Sequence, residues 1–202
     1  MKLADNDYLI LTPAGVLHAF SYIEANEKQQ ALQALLPSQH VNTANDWVQR
    51  YGAIWLKQFI DEGWVEIIDK RLIAPTVSLD TFLPYVVASL SGKRRAAIGS
   101  HEGFCLARIG FTQKEADIVC VVAADFVEFL KRQQQRGWFV EGQGISFLSN
   151  IDMIMPTTTF IFLWINEAGY WLILEGEPLL NNRAFVELVW GLKVAGERFI
   201  KF

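Results

Sequence analysis

The 202-residue sequence contains few of the side chains that most often bind transition metals: it has only two cysteines and three histidines. Cys105 and Cys120 both lie in apolar patterns, which favours buried free thiols in a reducing compartment over a disulfide. His18, His40 and His101 are far apart, and no two of them have the spacing of a metal site. No catalytic signature occurs along the chain, so we expect a protein that is not an enzyme and has no metal and no cofactor.

The sequence also lacks a long apolar run. The longest weakly polar stretch, residues 153–165, contains Pro156 and three threonines and is shorter than the roughly 20 residues that a membrane-spanning helix needs. The first residues, MKLADNDYLIL, lack the basic region and apolar core of a secretory signal. We therefore expect a cytoplasmic protein without a membrane span.

Basic side chains are in the minority. The formal net charge is −4 and the pI is about 5.4, so no global charge attracts the chain to nucleic acid or to an anionic membrane. Residues 1–75 contain six basic and nine acidic residues. DNA-binding proteins concentrate positive charge where the phosphates lie, so we expect this part of the chain to bind a protein rather than DNA.

Apolar side chains, in contrast, are abundant. They make up 51% of the sequence, which includes 7 tryptophans and 14 phenylalanines, and the mean hydropathy of +0.19 is high for a monomer. The central stretch predicts two strands at residues 94–99 and 104–111, joined by a turn at residues 100–103. Thr112 and Glu115 then form a T-x-x-E capping box, which indicates the start of a long helix.

This central helix, predicted over residues 112–132, is apolar around most of its circumference. Its polar side chains fall in one narrow stripe, and its apolar arc covers roughly 200°, about twice what a helix needs to pack on one core. One face carries small residues and packs closely; the other carries Ile118, Val122, Phe126 and Phe129. A single sheet covers only one face, so we expect a homodimer, with the N-terminal half folding back on the helix as the competing account. Which face forms the dimer is left open; the interface prediction comprises Ile118, Val119, Val122, Ala123, Phe126 and Phe129.

The first part of the chain predicts a small helical domain. Thr12 and Pro13 start a helix that extends to about residue 25, and further helices are expected at residues 27–36 and 43–62. Short strands at residues 64–68 and 71–74 then form a hairpin. Three helices followed by a hairpin is the order of a winged-helix domain, which we assign to residues 1–76.

The second part, residues 77–202, predicts an α+β domain with a five-stranded antiparallel sheet. A helix at residues 79–90 precedes the central hairpin and helix. Strands follow at residues 138–148, 158–165 and 170–174, the last two joined by a four-residue turn at residues 166–169. Asn181 or Asn182 caps the last helix. The order is therefore α-β-β-α-β-β-β-α.

This order resembles the Roadblock family, of the dynein light-chain type. The residues that carry the resemblance are the turn before Gly103, the strand AAIG, Gly110 after the second strand and the alanine-rich helix EADIVCVVAADF. The family often has Asp-Gly in that turn, where this chain has Glu102-Gly103. The family is not defined by catalytic residues and has bacterial members that regulate small GTPases. The resemblance thus implies a dimer in which the long helices pack together, and a small Ras-like GTPase as partner.

Three functional hypotheses follow. The first is a non-enzymatic homodimeric scaffold or regulator that binds a protein partner, with the basic cluster Lys93, Arg94 and Arg95 either contacting that partner or forming a solvated strand entry. The second is a winged-helix transcription regulator whose C-terminal domain dimerises or senses a small molecule. The third is a small-molecule sensor with a ligand beneath the aromatic strands near Trp164 and Trp171, which a closed core would exclude; a profilin-like or PAS-like sensor shares parts of the same element order.

Overall fold

A computed structural model describes residues 3–4, 6–38, 43–75, 79–138, 144–149 and 154–199, with the backbone alone described at residues 79–83 and 197–199. The chain divides into two compact units. We name Met1–Val77 with Asn181–Phe202 the helical unit, and Ser78–Leu180 the sheet unit. In chain order the elements are β1 (Tyr8–Leu11), α1 (Pro13–Ala19), α2 (Glu27–Gln33), α3 (Ala44–Tyr51), α4 (Ala53–Asp61), β2 (Val65–Ile68), α5 (Leu79–Ala88), β3 (Arg95–Ser100), β4 (Cys105–Ile109), α6 (Gln113–Gln135), β5 (Gly144–Leu148), β6 (Pro156–Ile165), β7 (Ala168–Glu175) and α7 (Arg183–Phe199).

Helices α1, α2 and α3 begin where side chains satisfy their first backbone N–H groups. The hydroxyl of Thr12 accepts the N–H of Gly15 at 3.0 Å, with Pro13 at the first helical position. Asn26 and Thr43 each form a reciprocal capping box with the residue three positions on. The predicted helix at residues 43–62 is two helices, because Gly52 adopts a φ of +95° between α3 and α4.

The predicted hairpin of the winged-helix domain is absent. Strand β2 pairs with β1, placing Leu11 opposite Val65 and Tyr8 opposite Ile68, and residues 71–75 form no strand. Alternate residues of YLIL, Leu9 and Leu11, are buried. Strand β1 is therefore the partner of β2, a position that the prediction gave to residues 71–74. The winged-helix assignment is not confirmed.

The last helix belongs to the helical unit, although the sequence analysis placed residues 77–202 in one domain. Helix α7 contacts α1, and the indole N–H of Trp190 donates to the carbonyl of Pro37 at 2.8 Å. Nearly every side chain from Phe185 to Val194 is buried or half-buried, so α7 is a core helix. The backbone N–H of Ala184 donates to the side chain of Asn182 at 3.0 Å, near the predicted cap.

The sheet unit has the five-stranded antiparallel sheet that the sequence predicts, in the order β4-β3-β7-β6-β5. The turn between β6 and β7 is shorter than expected, because Ile165 pairs with Ala168. Only Asn166 and Glu167 remain in it, with φ of +50° and +65°, as in the two-residue turns that match the twist of a hairpin. The predicted strand at 138–148 begins at Gly144; residues 139–143 lie outside the described part.

Helix α6 begins at the predicted capping box, since Thr112 accepts the N–H of Glu115 and Glu115 accepts the N–H of Thr112. It packs on β3, β4 and β7. The contact is close: a Cβ added to Gly99 on β3 would lie 3.0 Å from the sulfur of Cys120 on α6. The small buried residues Ala116, Cys120 and Ala123 thus bring the helix near the sheet.

Candidate protein-interaction surface

Four large side chains of α6 face away from the sheet. Ile118 is 53% exposed, Val121 56%, Val122 38% and Phe129 39%. At 100° per residue, Ile118, Val122 and Phe129 fall within about 40° of one another. We name these four side chains the outer α6 surface. It lies in the middle of a helix of 23 residues whose termini are polar, so apolar area is exposed where a surface helix normally places charge.

The six residues predicted as the dimer interface do not share one surface. Ile118, Val122 and Phe129 are exposed, whereas Ala123 is fully buried against the sheet. Val119 and Phe126 are half-buried and pack on the core between α6 and the sheet.

Phe126 points inward because aromatic side chains of the sheet surround it. Its ring lies 5.1 Å from that of Phe160 in a T-shaped contact and 5.9 Å from that of Phe147. Such pairs are favourable beyond the area that they bury. The predicted face with larger side chains is therefore divided. Phe126 belongs to the core, whereas Ile118, Val122 and Phe129 are exposed.

The turn between β3 and β4 extends this apolar area. A Cβ added to Gly103 would lie 3.4 Å from Val121 on α6, so the turn packs against the helix there. The next residue, Phe104, is 67% exposed, and Leu106 on the edge strand β4 is 44% exposed. Sequence reasoning missed Val121, although the signal was present: it is the valine within the otherwise polar stripe of the helix.

The basic cluster forms mostly internal contacts. The guanidinium of Arg95 donates to Glu175 at 2.6 Å and to Glu115 at 3.3 Å, and it lies 4.6 Å from the ring centre of Phe111. The hydrogen bond to Glu175 raises the pKa of Arg95. Lys93 also pairs with Glu175, at 3.5 Å. Among the described residues Arg94 has no such partner, so it is the cation of this cluster that remains available to another protein.

The turn residues Ser100 and His101 have structural contacts. The hydroxyl of Ser100 accepts the N–H of Phe104 at 3.2 Å and that of Glu102 at 3.3 Å, which holds the turn. The ring of His101 lies 6.4 Å from that of Trp164. His18 stacks on Trp64 at 3.8 Å, and burial lowers its pKa. His40 lies outside the described residues.

The two cysteines are free thiols on facing elements, β4 and α6. Burial raises the pKa of Cys105 and raises that of Cys120 to about 12. A thiol is nucleophilic as its thiolate, so neither side chain is activated for chemistry. Over the ranges that the structure describes, no three His, Cys, Asp or Glu side chains are grouped as metal ligands. Within the same ranges, no helix has the length and apolar character needed to cross a membrane.

The helical unit has an open cavity of about 660 Å³ along α3 and α4. Its lining includes Lys57 beside Asp61 and Glu62. The other cation of these helices, Arg50, lies 5.2 Å from the ring centre of Tyr51. A phosphate backbone is bound by clustered positive charge, and this surface carries two carboxylates beside its lysine.

No family model matches the chain, and no curated protein sequence matches it. Two solved structures are similar to it. One is the Roadblock/LC7 domain from Streptomyces avermitilis, which is 12% identical, with 61% of this chain and 98% of that chain covered and a TM-score of 0.37. The other is Myxococcus xanthus MglB, which is 11% identical, with 65% and 98% covered and a TM-score of 0.43. At these scores neither similarity assigns a function.

Proposed function

We propose that this protein is a non-enzymatic, cytoplasmic homodimer that acts as a scaffold or regulator by binding a protein partner. The observation that carries the proposal is the outer α6 surface, where four large apolar side chains are 38–56% exposed on one helix. Clustered exposed apolar side chains of this kind are typical of interaction sites, and the exposed Asp125 lies among them on the helix. The fold of the sheet unit leaves it uncovered, because the small face of α6 already covers the sheet.

A second copy of the chain fits this surface. Helix α6 is about 35 Å long at 1.5 Å per residue, and two such helices crossing at their middles would bring both sets of apolar side chains together. Gly103 packs beside the helix, and the neighbouring Phe104 and Leu106 are exposed and available to enlarge the contact. A stable interface buries at least about 1,000 Å² in total, so the helix and the neighbouring turn of each protomer would need to bury about 500 Å².

The oligomeric state is tested by sedimentation equilibrium at micromolar concentration. We expect twice the 22.9 kDa of one chain. Val122→Asp should give a monomer, whereas Ile54→Asp, which changes an equally hydrophobic side chain that is 83% exposed on α4, should remain a dimer. A wild-type monomer would overturn the proposal and leave the outer α6 surface to a different protein.

The proposed partner is a small Ras-like GTPase, in keeping with the family that the sequence resembles. Arg94 is the cation that we assign to this contact, since Arg95 and Lys93 are paired with Glu175. Isothermal titration with a Ras-like GTPase, in its GDP and GTP-analogue forms, tests it. Arg94→Glu should weaken binding and Arg136→Glu, at the end of α6, should not. Absence of binding in both nucleotide states would reject the GTPase and leave the dimer standing.

DNA binding is the rival hypothesis. The carboxylates beside Lys57 predict that a fluorescence-anisotropy screen at physiological salt finds no preferred sequence. Sub-micromolar binding to a defined site would favour the transcription regulator instead.

A further inference from the structure

A partly enclosed cavity of about 520 Å³ lies in the sheet unit, between α6 and strands β5, β6 and β7. Its volume is within the range of roughly 300–1,000 Å³ that is usual for small-molecule sites. The aromatic rings of Phe126, Phe162 and Trp171 line it, together with the aliphatic side chains of Leu130 and Ile145. The core of the sheet unit is therefore not closed on this side of the sheet.

The shape and charge of the lining indicate the class of ligand. The rings of Phe162 and Trp171 are 4.7 Å apart at 45°, and those of Phe126 and Trp171 are 6.1 Å apart at 61°. Such an array offers both faces and edges to a flat aromatic ring. The charged side chains in the lining, Asp125 and Arg132, have opposite signs, so the cavity has no net charge and favours a neutral molecule.

One polar atom in the lining residues has no partner. Trp171 is 1% exposed, and its indole nitrogen is the one buried side-chain nitrogen or oxygen among the described residues that makes no hydrogen bond. Buried donors are almost always paired, and an unpaired one is unfavourable. The nitrogen itself has almost no exposed surface, and its residue is one of those that line the cavity.

We propose that this cavity binds a small, neutral, flat aromatic molecule that carries one hydrogen-bond acceptor of the ketone type, and that the indole N–H of Trp171 donates to that acceptor. The apolar rings take up the body of the ligand, the balanced charge excludes ions, and the acceptor supplies the partner that Trp171 lacks. The site goes beyond the proposed protein-binding function, and it shares one residue with the outer α6 surface, because Phe129 also lines the cavity.

Two fluorescent probes test the proposal: the naphthyl ketone Prodan, and N-phenyl-1-naphthylamine, which has no carbonyl. Wild-type protein should bind each of them once per chain. Trp171→Phe should weaken Prodan binding by roughly tenfold, the loss of about one hydrogen bond, and change naphthylamine binding by less than about twofold. Ile145→Trp should fill the cavity and remove the binding of both probes.

The matched control is Ile118→Ser, which changes a side chain of the outer α6 surface outside the cavity lining and should bind both probes as wild type does. Phe129 belongs to both the cavity lining and the outer α6 surface, so the sedimentation result for Val122→Asp and the probe result for Ile118→Ser together separate the two proposals. Failure of wild-type protein to bind Prodan, or undiminished binding by Ile145→Trp, would overturn the cavity as a site.

The role of Trp171 has a test that needs no variant. In wild-type protein labelled with ¹⁵N-tryptophan, one indole N–H signal should move downfield with Prodan and not with the naphthylamine. Equal shifts with both probes, or equal losses of affinity in Trp171→Phe, would reject the hydrogen bond. The shift test holds even if the variant folds poorly, because the labelled protein is unmodified.

Discussion

Val122→Asp places a carboxylate in the middle of the outer α6 surface. In an isolated chain the change is mild, because the Val122 side chain is 38% exposed and an aspartate there reaches water. In a dimer through this surface the same carboxylate is buried without a partner, and an unpaired buried charge costs several kcal/mol. The substitution therefore separates an effect on association from an effect on folding.

The magnitude follows from the exposures. The four side chains of the outer α6 surface expose 53%, 56%, 38% and 39%, nearly two complete side chains in total. Complete burial of one such side chain contributes about 1.5–3 kcal/mol, so covering the surface contributes about 3–6 kcal/mol per protomer. A two-fold interface buries it on both protomers, which gives about 6–11 kcal/mol before the entropic cost of association.

Two carboxylates in such an interface offset most of that contribution. Since each 1.4 kcal/mol is a factor of ten, we expect the dimer dissociation constant to rise by at least about a thousandfold. Sedimentation equilibrium over a concentration series measures it. In addition, the unfolding temperature of the wild type should rise with protein concentration and that of the variant should not. A variant that dimerises as tightly as the wild type would refute the reasoning.

Three further predictions concern the interior. Cys120, whose pKa is raised to about 12, should react with a thiol reagent at pH 8 only after denaturation; rapid labelling of the native protein would contradict this. Gly99→Ala should lower the free energy of unfolding by about 1–3 kcal/mol, because its Cβ crowds the sulfur of Cys120; adding Cys120→Ala should restore part of the loss in chemical denaturation. His18 has a pKa lowered by burial, so the unfolded chain binds the proton more tightly and stability falls as the pH drops below about 6.5. His18→Gln should flatten that fall, and an unchanged pH profile would show that other groups cause it.

Local signals in the sequence predict the sheet unit well. The capping box at Thr112 and Glu115 sets the start of α6, and the alternating apolar strands give the five-stranded antiparallel sheet. The predictions fail where pairing is non-local. Strand β2 pairs with β1, which lies more than 50 residues earlier in the chain. Nothing in the sequence near residues 64–74 indicates that β2 pairs with this distant strand and not with residues 71–74.

The candidate surface was predicted only in part, again because contacts between distant residues decide it. Helical periodicity identifies the apolar arc but does not show which side chains the sheet covers. Phe126 turns inward because Phe147 and Phe160 lie beside it, and these contacts join residues from three different elements. Val121 was not among the predicted interface residues, yet its backbone lies beside the turn at Gly103. Periodicity describes a helix by itself, whereas exposure depends on its neighbours.

The membership of α7 in the helical unit has a consequence for how the chain folds during synthesis. The sheet unit, Ser78–Leu180, is an insertion within the sequence of the helical unit. The hydrogen bond from Trp190 to Pro37 joins residues 153 positions apart, so the ribosome must make the whole sheet unit before α7 can reach α1. The sheet unit, whose contacts are contiguous in sequence, is free to fold first, while the helical unit stays incomplete with its core open. The first residues to be synthesised are thus among the last that can complete their packing.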